Sequence, residues 1–458
     1  MKKCAFVFDT NKCVGCMACV VGCSIENNTN TSFNWREVSA FNEINHPDLP
    51  LFHLSMACNH CDDAPCMKHC PAMAYKRDEE TGAILHIAEA CIGCTYCTWA
   101  CPYDAPKYNT ATKIIEKCNF CINKIKVGLK TACATACPVG ALDFTTNTEI
   151  DYNQLNNIIT TEINPSIKVI PLKESMEKPK VINSNEQQVG LNNSLHLFSK
   201  PKSKITLAKE WTLVLFTLTV AVLVALFSAF VTHNLSMSLP LFITVSLAAI
   251  ALSSFHVGKK WRLWRFVLNL KNSWLSREIL GFSLFIIFGS LTLFFTNHNS
   301  NFEIATTTLS LLKYLTIGLG AFTLIAVDMV YKFLIREDKV PIHSASIVLT
   351  SIFLYAWFTS GIGLIVISSS IKVILYLLRK ITSNKNTYKS ILLSLVRLGL
   401  IVIPTILFIV YPQISILVLI PLIFISEVID RSEFYIEFDV ITPKKYIINN
   451  FNKVFNVN

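Results

Sequence analysis

Residues 91–102 read Cys91-Ile-Gly-Cys94-Thr-Tyr-Cys97-Thr-Trp-Ala-Cys101-Pro102, and this run decides what the first part of the chain is. Cysteines two residues apart let one tight loop present three sulfurs to a single cluster. The fourth, on the helix that follows, points the other way and serves a partner cluster, as in the bacterial ferredoxin run Cys-x2-Cys-x2-Cys-x3-Cys-Pro. The same spacing recurs at Cys13, Cys16, Cys19 and Cys23. Looser versions lie at Cys58, Cys61, Cys66, Cys70 and at Cys118, Cys121, Cys133, Cys137. Proline follows three of the groups, at Pro71, Pro102 and Pro138, and closes each local turn. Four groups of four predict four 4Fe-4S clusters and leave one of the 17 cysteines, Cys4, as a small core residue.

Two other uses of cysteine compete with this one. Disulfides are disfavoured by the short regular spacings, and by a start, Met1-Lys-Lys-Cys4 and a brief apolar stretch to Asp9, that has no secretory or twin-arginine character. Zinc ribbons also pair Cys-x-x-Cys, but the ferredoxin run with its trailing Cys-Pro points to iron and sulfide.

Outward from the cysteines the composition changes. With 458 residues, 52% hydrophobic and 16% charged, the chain is too apolar to be wholly soluble. All the cysteines precede Pro138, whereas the long apolar runs follow Glu210. The expected fold is an α+β ferredoxin-like iron-sulfur domain of two pseudo-twofold dicluster units, joined to an all-α polytopic membrane bundle. Residues 1–175 form the cluster domain, opened by a strand over Lys3 to Phe8; 176–209 is a polar linker; 210–435 is the anchor; 436–458 is a tail. Spans of about 20 apolar residues are placed at Trp211–Val231, Leu239–Phe255, Ile279–Thr296, Tyr314–Leu334, Leu393–Tyr411 and Ile414–Glu427. Ser344–Leu378 reads either as two helices turning near Gly361–Gly363, giving eight and burying Lys372, or as one tilted helix and an interfacial one, giving seven.

A net charge of +10 would ordinarily suggest nucleic acid, but membrane topology explains it better. On the eight-helix reading seventeen Lys and Arg residues fall in four loops on one side, at 200–209, 259–277, 332–339 and 379–389, against Lys313 on the other. Positive loops face the cytoplasm, so the cluster domain is expected on the cytoplasmic side of a bacterial inner membrane.

Two ionisable residues stand out in the anchor. His256 ends the second helix and Glu278 begins the third, both on the basic side. A quinol releases two electrons and two protons, so its site needs a hydrogen-bond partner and a proton acceptor at the hydrocarbon edge; His256 and Glu278 supply both. Such groups are costly at that depth and default to function, although interfacial anchoring is the competing explanation. Arg277 either pairs with Glu278 or holds a quinone carbonyl. Trp261, Trp264 and Trp274 read as interfacial belt residues. Asp328 and Arg397 form either a proton path or a structural ion pair. His233, His256, His298 and His343 all lie at helix ends, which speaks against a b-type haem while leaving a His256 and His343 pair open.

The stretch Ala57 to Asn109, with Cys58-Asn-His-Cys-Asp-Asp-Ala-Pro-Cys66 and the run from Cys91 to Pro106, closely resembles the four-cluster subunit of the dimethyl sulfoxide reductase family, and Lys117 to Phe144 extends the likeness. The resemblance implies crossed ligand sets: Cys13, Cys16, Cys19 with Cys137; Cys118, Cys121, Cys133 with Cys23; Cys58, Cys61, Cys66 with Cys101; and Cys91, Cys94, Cys97 with Cys70. In the related respiratory nitrate reductases a tryptophan at the position of Cys94 leaves a three-iron cluster; cysteine here implies four cubanes. Ser253-Ser-Phe-His256-Val-Gly258, Ser276-Arg277-Glu278-Ile279 and Ser426 to Tyr435 resemble the anchor subunit of the same family, so two usually separate polypeptides are fused. The likeness implies a protein that oxidises menaquinol or ubiquinol from the quinone pool and feeds a separate molybdopterin-containing catalytic subunit. The reverse flow, from a catalytic partner to quinone, uses the same ligands. Family members are often exported with a signal-bearing partner, which implies a periplasmic cluster domain, against the loop charges. A metal-binding scaffold or sensor is the reading from another class, and it predicts zinc, or loss of metal without loss of electron transfer.

Overall fold

The computed structural model describes residues 4–29, 33–42, 50–146, 163–173, 204–297, 306–332, 343–382, 388–437, 440 and 442–454. Most of the expected linker, up to residue 203, lies outside these, as do Lys200, Lys202, His298, Arg336, Lys339 and Lys385. The protein divides into two compact units, Met1–Lys204 with Trp261–Arg265 and Val440–Asn458, and Ile205–Lys260 with Phe266–Asp439.

The first unit runs β1 (Ala5–Asp9), α1 (Ala18–Asn27), β2 (Glu37–Phe41), β3 (Phe52–Met56), α2 (Pro65–Lys68), β4 (Tyr75–Arg77), β5 (Ile84–His86), α3 (Tyr96–Ala100), β6 (Lys107–Asn109), β7 (Ile114–Glu116), α4 (Ile122–Lys126), α5 (Ala132–Thr135), β8 (Leu142–Thr145) and β9 (Ile167–Ile170). Alternation in Ala-Phe-Val-Phe-Asp sends Phe6 and Phe8 inward, so β1 becomes the middle of a three-stranded sheet, antiparallel to β8 and parallel to β9. Phe6 meets Phe120 at 4.9 Å between ring centroids, and Phe120 meets Phe144 at 5.2 Å. These rings are buried and each contributes roughly 1.5–3 kcal/mol. Three hairpins, β2 with β3, β4 with β5 and β6 with β7, link the cysteine loops. Helices α1 and α5 pack together, as do α2 and α3. Each pair carries cysteines from two of the four groups.

The second unit is helical: α6 (Leu207–His233), α7 (Leu239–Ser254), α8 (Trp274–Asn297), α9 (Thr306–Lys332), α10 (Ile347–Phe358), α11 (Ile362–Thr382), α12 (Tyr388–Val410) and α13 (Ile416–Glu437). Five of these, α6, α8, α9, α11 and α12, are long and apolar enough to cross a membrane. α6 is the hub: 61% of its apolar window is buried, against 28–33% in the other four. Its neighbours are α7, α9, α10 and α13. The ambiguous stretch forms two helices, α10 and α11, broken at Thr359–Gly361, where Ser360 adopts φ 55°. At about 1.5 Å per residue α10 spans only about 18 Å, short of a roughly 30 Å hydrocarbon core. The span expected at Ile414–Glu427 runs on to Glu437, and past its expected end Asp430 and Glu433 are buried and ion-paired. The expected tail carries a further helix, α14 (Pro443–Val454).

Candidate functional site

In the cysteine loops the backbone does the aiming. Gly15 and Met17 flank Cys16 with φ 71° and 62°, and Gly93 and Thr95 flank Cys94 with φ 72° and 60°. Two left-handed residues around one cysteine curl the loop so that its sulfurs share a concave side. A Cβ at Gly15 would stand 2.4 Å from the His53 ring, so glycine is required there for space as well as for φ.

One pocket is lined by Cys13, Cys16, Cys19 and, from more than a hundred residues on, Cys137. Another is lined by Cys58, Cys61, Cys66 and Cys101. Cys118 lies among Cys23 and Cys133, and Cys23 in turn beside Cys121. Cys97 lies among Cys70, Cys91 and Cys94. The four crossed sets implied by the resemblance are therefore brought together in space. The α1 and α5 pairing makes this possible, since Gly22 lets them approach until a Cβ there would be 2.7 Å from Ala136 Cβ. Cys4 is buried.

Backbone amides point at these sulfurs: Ala74 N donates to Cys70 Sγ at 3.3 Å, Phe120 N to Cys118 Sγ at 3.4 Å and Leu142 N to Cys137 Sγ at 3.4 Å. Such donors suit thiolates, not thiols. Without a counter-charge, burial pushes the Cys23 thiol up to about 12 and the Cys70 thiol up to about 11, so ligation has to remove the protons. Among the described residues no three Cys, His, Asp or Glu side chains converge tightly enough for a single ion. Sulfurs spread round a cavity fit a cubane better than one zinc at about 2.3 Å from each ligand.

Residues 50–147 match the family described as a 4Fe-4S dicluster domain. One chain of the anaerobic dimethyl sulfoxide reductase of Haemophilus influenzae is 36% identical over 153 residues, 31% of this chain and 74% of that protein. The arsenate respiratory reductase iron-sulfur subunit of a Shewanella strain is 33% identical over 190 residues, 30% of this chain and 81% of that protein. The chain is a member of this iron-sulfur subunit family. A sulfite dehydrogenase subunit of Allochromatium vinosum is 34% identical over 164 residues, 31% and 68% of the two proteins. As an iron-sulfur subunit of this family the protein is an electron-transfer component of an oxidoreductase system.

The helical unit lies beyond the third that matches the iron-sulfur subunit family. Glu278 is buried in the first turn of α8, and His256 follows α7 with a buried Nδ1 that has no hydrogen-bond partner among the described residues. Burial brings the His256 imidazole down to about 4, so it is neutral at pH 7. A pairing of Arg277 with Glu278, one of the two roles expected of Arg277, is absent among the described residues. Adjacent helix residues do not face each other, and Arg277 turns back to donate to Leu270 O at 2.8 Å and Lys271 O at 2.7 Å, stacked on Trp274. The cation in electrostatic reach of Glu278 is Arg431 on α13. It donates to Thr217 Oγ1 at 3.2 Å and Ala345 O at 3.1 Å, lies over Tyr331 and Phe434, and keeps a buried Nη2 without a partner among the described residues. Tyr331 and Tyr435 join hydroxyls beside it.

A neighbouring stripe of α13 carries Glu427, Asp430, Glu433 and Glu437, three or four residues apart. Bases from α11 and α12 meet them: Lys372 on Glu427 at 2.5 Å, Arg379 on Asp430 at 2.8 Å and Glu433 at 2.8 Å, Lys380 on Glu437 at 2.7 Å, and Arg397 on Asp430 at 2.6 Å. Asp328 and Arg397 are not partners. Asp328 caps α10, accepting from Ile347 N at 2.8 Å, while Arg397 belongs to the α13 stripe. His343 lies beside Arg379 at 3.3 Å. Four acids at helical spacing in an apolar run were the sequence signal for this network, whereas nothing local marked Arg431.

Proposed function

We propose that this protein oxidises quinol in its membrane half and passes the electrons through four 4Fe-4S clusters to a separate molybdopterin-containing reductase subunit. The observation that carries the reading is the crossed grouping of sixteen thiols, each set joining three cysteines of one sequence group to a fourth from another. The ligands are Cys13, Cys16, Cys19 and Cys137; Cys23, Cys118, Cys121 and Cys133; Cys58, Cys61, Cys66 and Cys101; and Cys70, Cys91, Cys94 and Cys97. Bound there, the clusters supply one-electron carriers. The terminal chemistry belongs to the partner. Its docking is supported by the exposed apolar residues Val14, Met17, Val21 and Ile25 around and beyond the exposed Cys16.

In the lipid-embedded half neutral His256 holds one quinol hydroxyl by hydrogen bonding, Glu278 takes the two quinol protons in turn and passes each on to water, and the two electrons leave one at a time to the clusters. Arg431, whose Nη2 has no partner among the described residues, fills the carbonyl-binding role expected of Arg277. The quinol is menaquinol or ubiquinol of a bacterial inner membrane, and the loop charges favour a cytoplasmic cluster domain. Reverse flow is the second reading, supported by the name of the sulfite dehydrogenase relative.

The test is anaerobic purification of the full-length protein with iron analysis and stopped-flow quinol oxidation. About sixteen iron atoms are expected, with Glu278→Gln slowing cluster reduction by quinol about 10²–10⁴-fold at unchanged iron. A colourless, iron-free preparation, or normal quinol oxidation by the variant, defeats the proposal. Redox titration of the clusters against the quinone couple separates the two directions.

A further inference from the structure

Two cations are buried in the cluster unit without a carboxylate. Arg36 is 2% exposed and Lys117 3% exposed, and among the described residues neither makes an ion pair. Burying a lone charge costs several kcal/mol unless opposite charge compensates it. Arg36 donates to Ser55 Oγ at 3.0 Å, lies over the Phe6 ring, and keeps a buried Nε with no partner among the described residues; Ser55 Oγ in turn is 3.5 Å from Cys19 Sγ. Within its electrostatic reach lie Cys133, Cys118, Cys19 and Cys23. Lys117 Nζ donates to Ile84 O at 2.5 Å and Cys118 O at 3.0 Å, and Cys58 and Cys66 lie within its electrostatic reach.

These positions are junctions. Arg36 stands between the set that contains Cys19 and the set that contains Cys23, Cys118 and Cys133. Lys117 stands between that second set and the one containing Cys58 and Cys66. At the next junction the uncharged Tyr75 is buried among Cys97, Cys66 and Cys70.

Resting on the ligand sets proposed above, we infer that Arg36 and Lys117 are the shared counter-charges of the clusters on either side of them and raise the reduction potentials of those clusters. Reduction adds one negative charge to a centre, and a fixed cation in a low-dielectric interior favours the reduced form. The cluster of Cys23, Cys118, Cys121 and Cys133 feels both cations. The cluster of Cys70, Cys91, Cys94 and Cys97 feels neither.

The test is a redox titration of the purified full-length protein followed by electron paramagnetic resonance, with iron counted in every sample. Arg36→Gln is expected to lower the potentials of the Cys13 and Cys23 sets, and Lys117→Gln those of the Cys23 and Cys58 sets, with the Cys70 set unmoved in both. Lys117→Arg and Arg36→Lys, which keep the charge, are expected to leave all four near the parent values. Full iron with unchanged potentials, or with all four clusters shifted alike, overturns the inference. Iron lost from the neutral variant and retained in the charge-keeping one supports it; iron lost from both overturns it, because shape would then be what matters. An iron-free parent protein would instead defeat the ligand assignment itself.

Discussion

Replacing Asp430 by asparagine tests whether the buried stripe on α13 holds the helical unit together. Asp430 and Arg397 are both fully buried and 2.6 Å apart, and among the described residues Asp430 is the carboxylate that Arg397 pairs with. Arg379 loses one partner but retains Glu433 at 2.8 Å and Glu437 at 3.1 Å. The damage therefore falls on Arg397. Leaving one member of a buried pair unpaired costs about 3–5 kcal/mol. At about 2–4 °C per kcal/mol for a unit of this size, Asp430→Asn should melt roughly 6–20 °C lower. Adding Arg397→Met removes the stranded charge, and replacing a whole buried pair by apolar groups is often neutral. The double variant should therefore recover most of the loss, with a coupling well beyond the roughly 0.3–0.5 kcal/mol tolerance of independent sites. The assay is thermal loss of the monodisperse peak of the detergent-solubilised full-length protein. An unchanged melting point for Asp430→Asn, or strictly additive losses in the double variant, would refute the reasoning.

Cys94→Ser should leave three thiols in its set and convert that centre to a three-iron cluster, seen as one iron fewer per protein and a new resonance from an oxidised three-iron centre; an unchanged spectrum contradicts the ligand assignment. Gly15→Ala forces a side chain into φ 71° and into the His53 ring, at a cost of at least about 1–2 kcal/mol, so the Cys13 set should lose iron first on mild heating, as followed by iron analysis. Burial raises the thiol pKa values at Cys23 and Cys70, and each ligand must give up its proton to bind iron. Iron is therefore held at neutral and higher pH and released as pH falls, which the visible absorbance reports; retention that improves on acidification runs against this sign.

The cluster chemistry was legible because it is local. Residues 13–23 and 91–101 carry three donors within one loop and a fourth one helical turn on, so the donor type and count survive without any knowledge of packing. The helical half was legible for a similar reason, since apolar runs are a property of composition. Arg277 shows where this stops: it is next to Glu278 in sequence, yet helix geometry turns it toward Leu270 and Lys271. Arg36 and Lys117 show the same limit in the cluster unit, where a single basic residue in a polar stretch carries no mark of its burial.

Thiolates in ferredoxin spacing and helices fit for a membrane are thus written in the order of residues alone. The crossed sets were implied by the family resemblance and not by the spacing, and it is the packing of α1 against α5 and α2 against α3 that draws their members together. Which cation reaches Glu278 depended on α13, whose Arg431 is tied to Thr217, 214 residues away. The difference is one of range: loop spacing and hydropathy act over a few residues, whereas counter-charges are chosen by whatever the folded protein brings within hydrogen-bond distance.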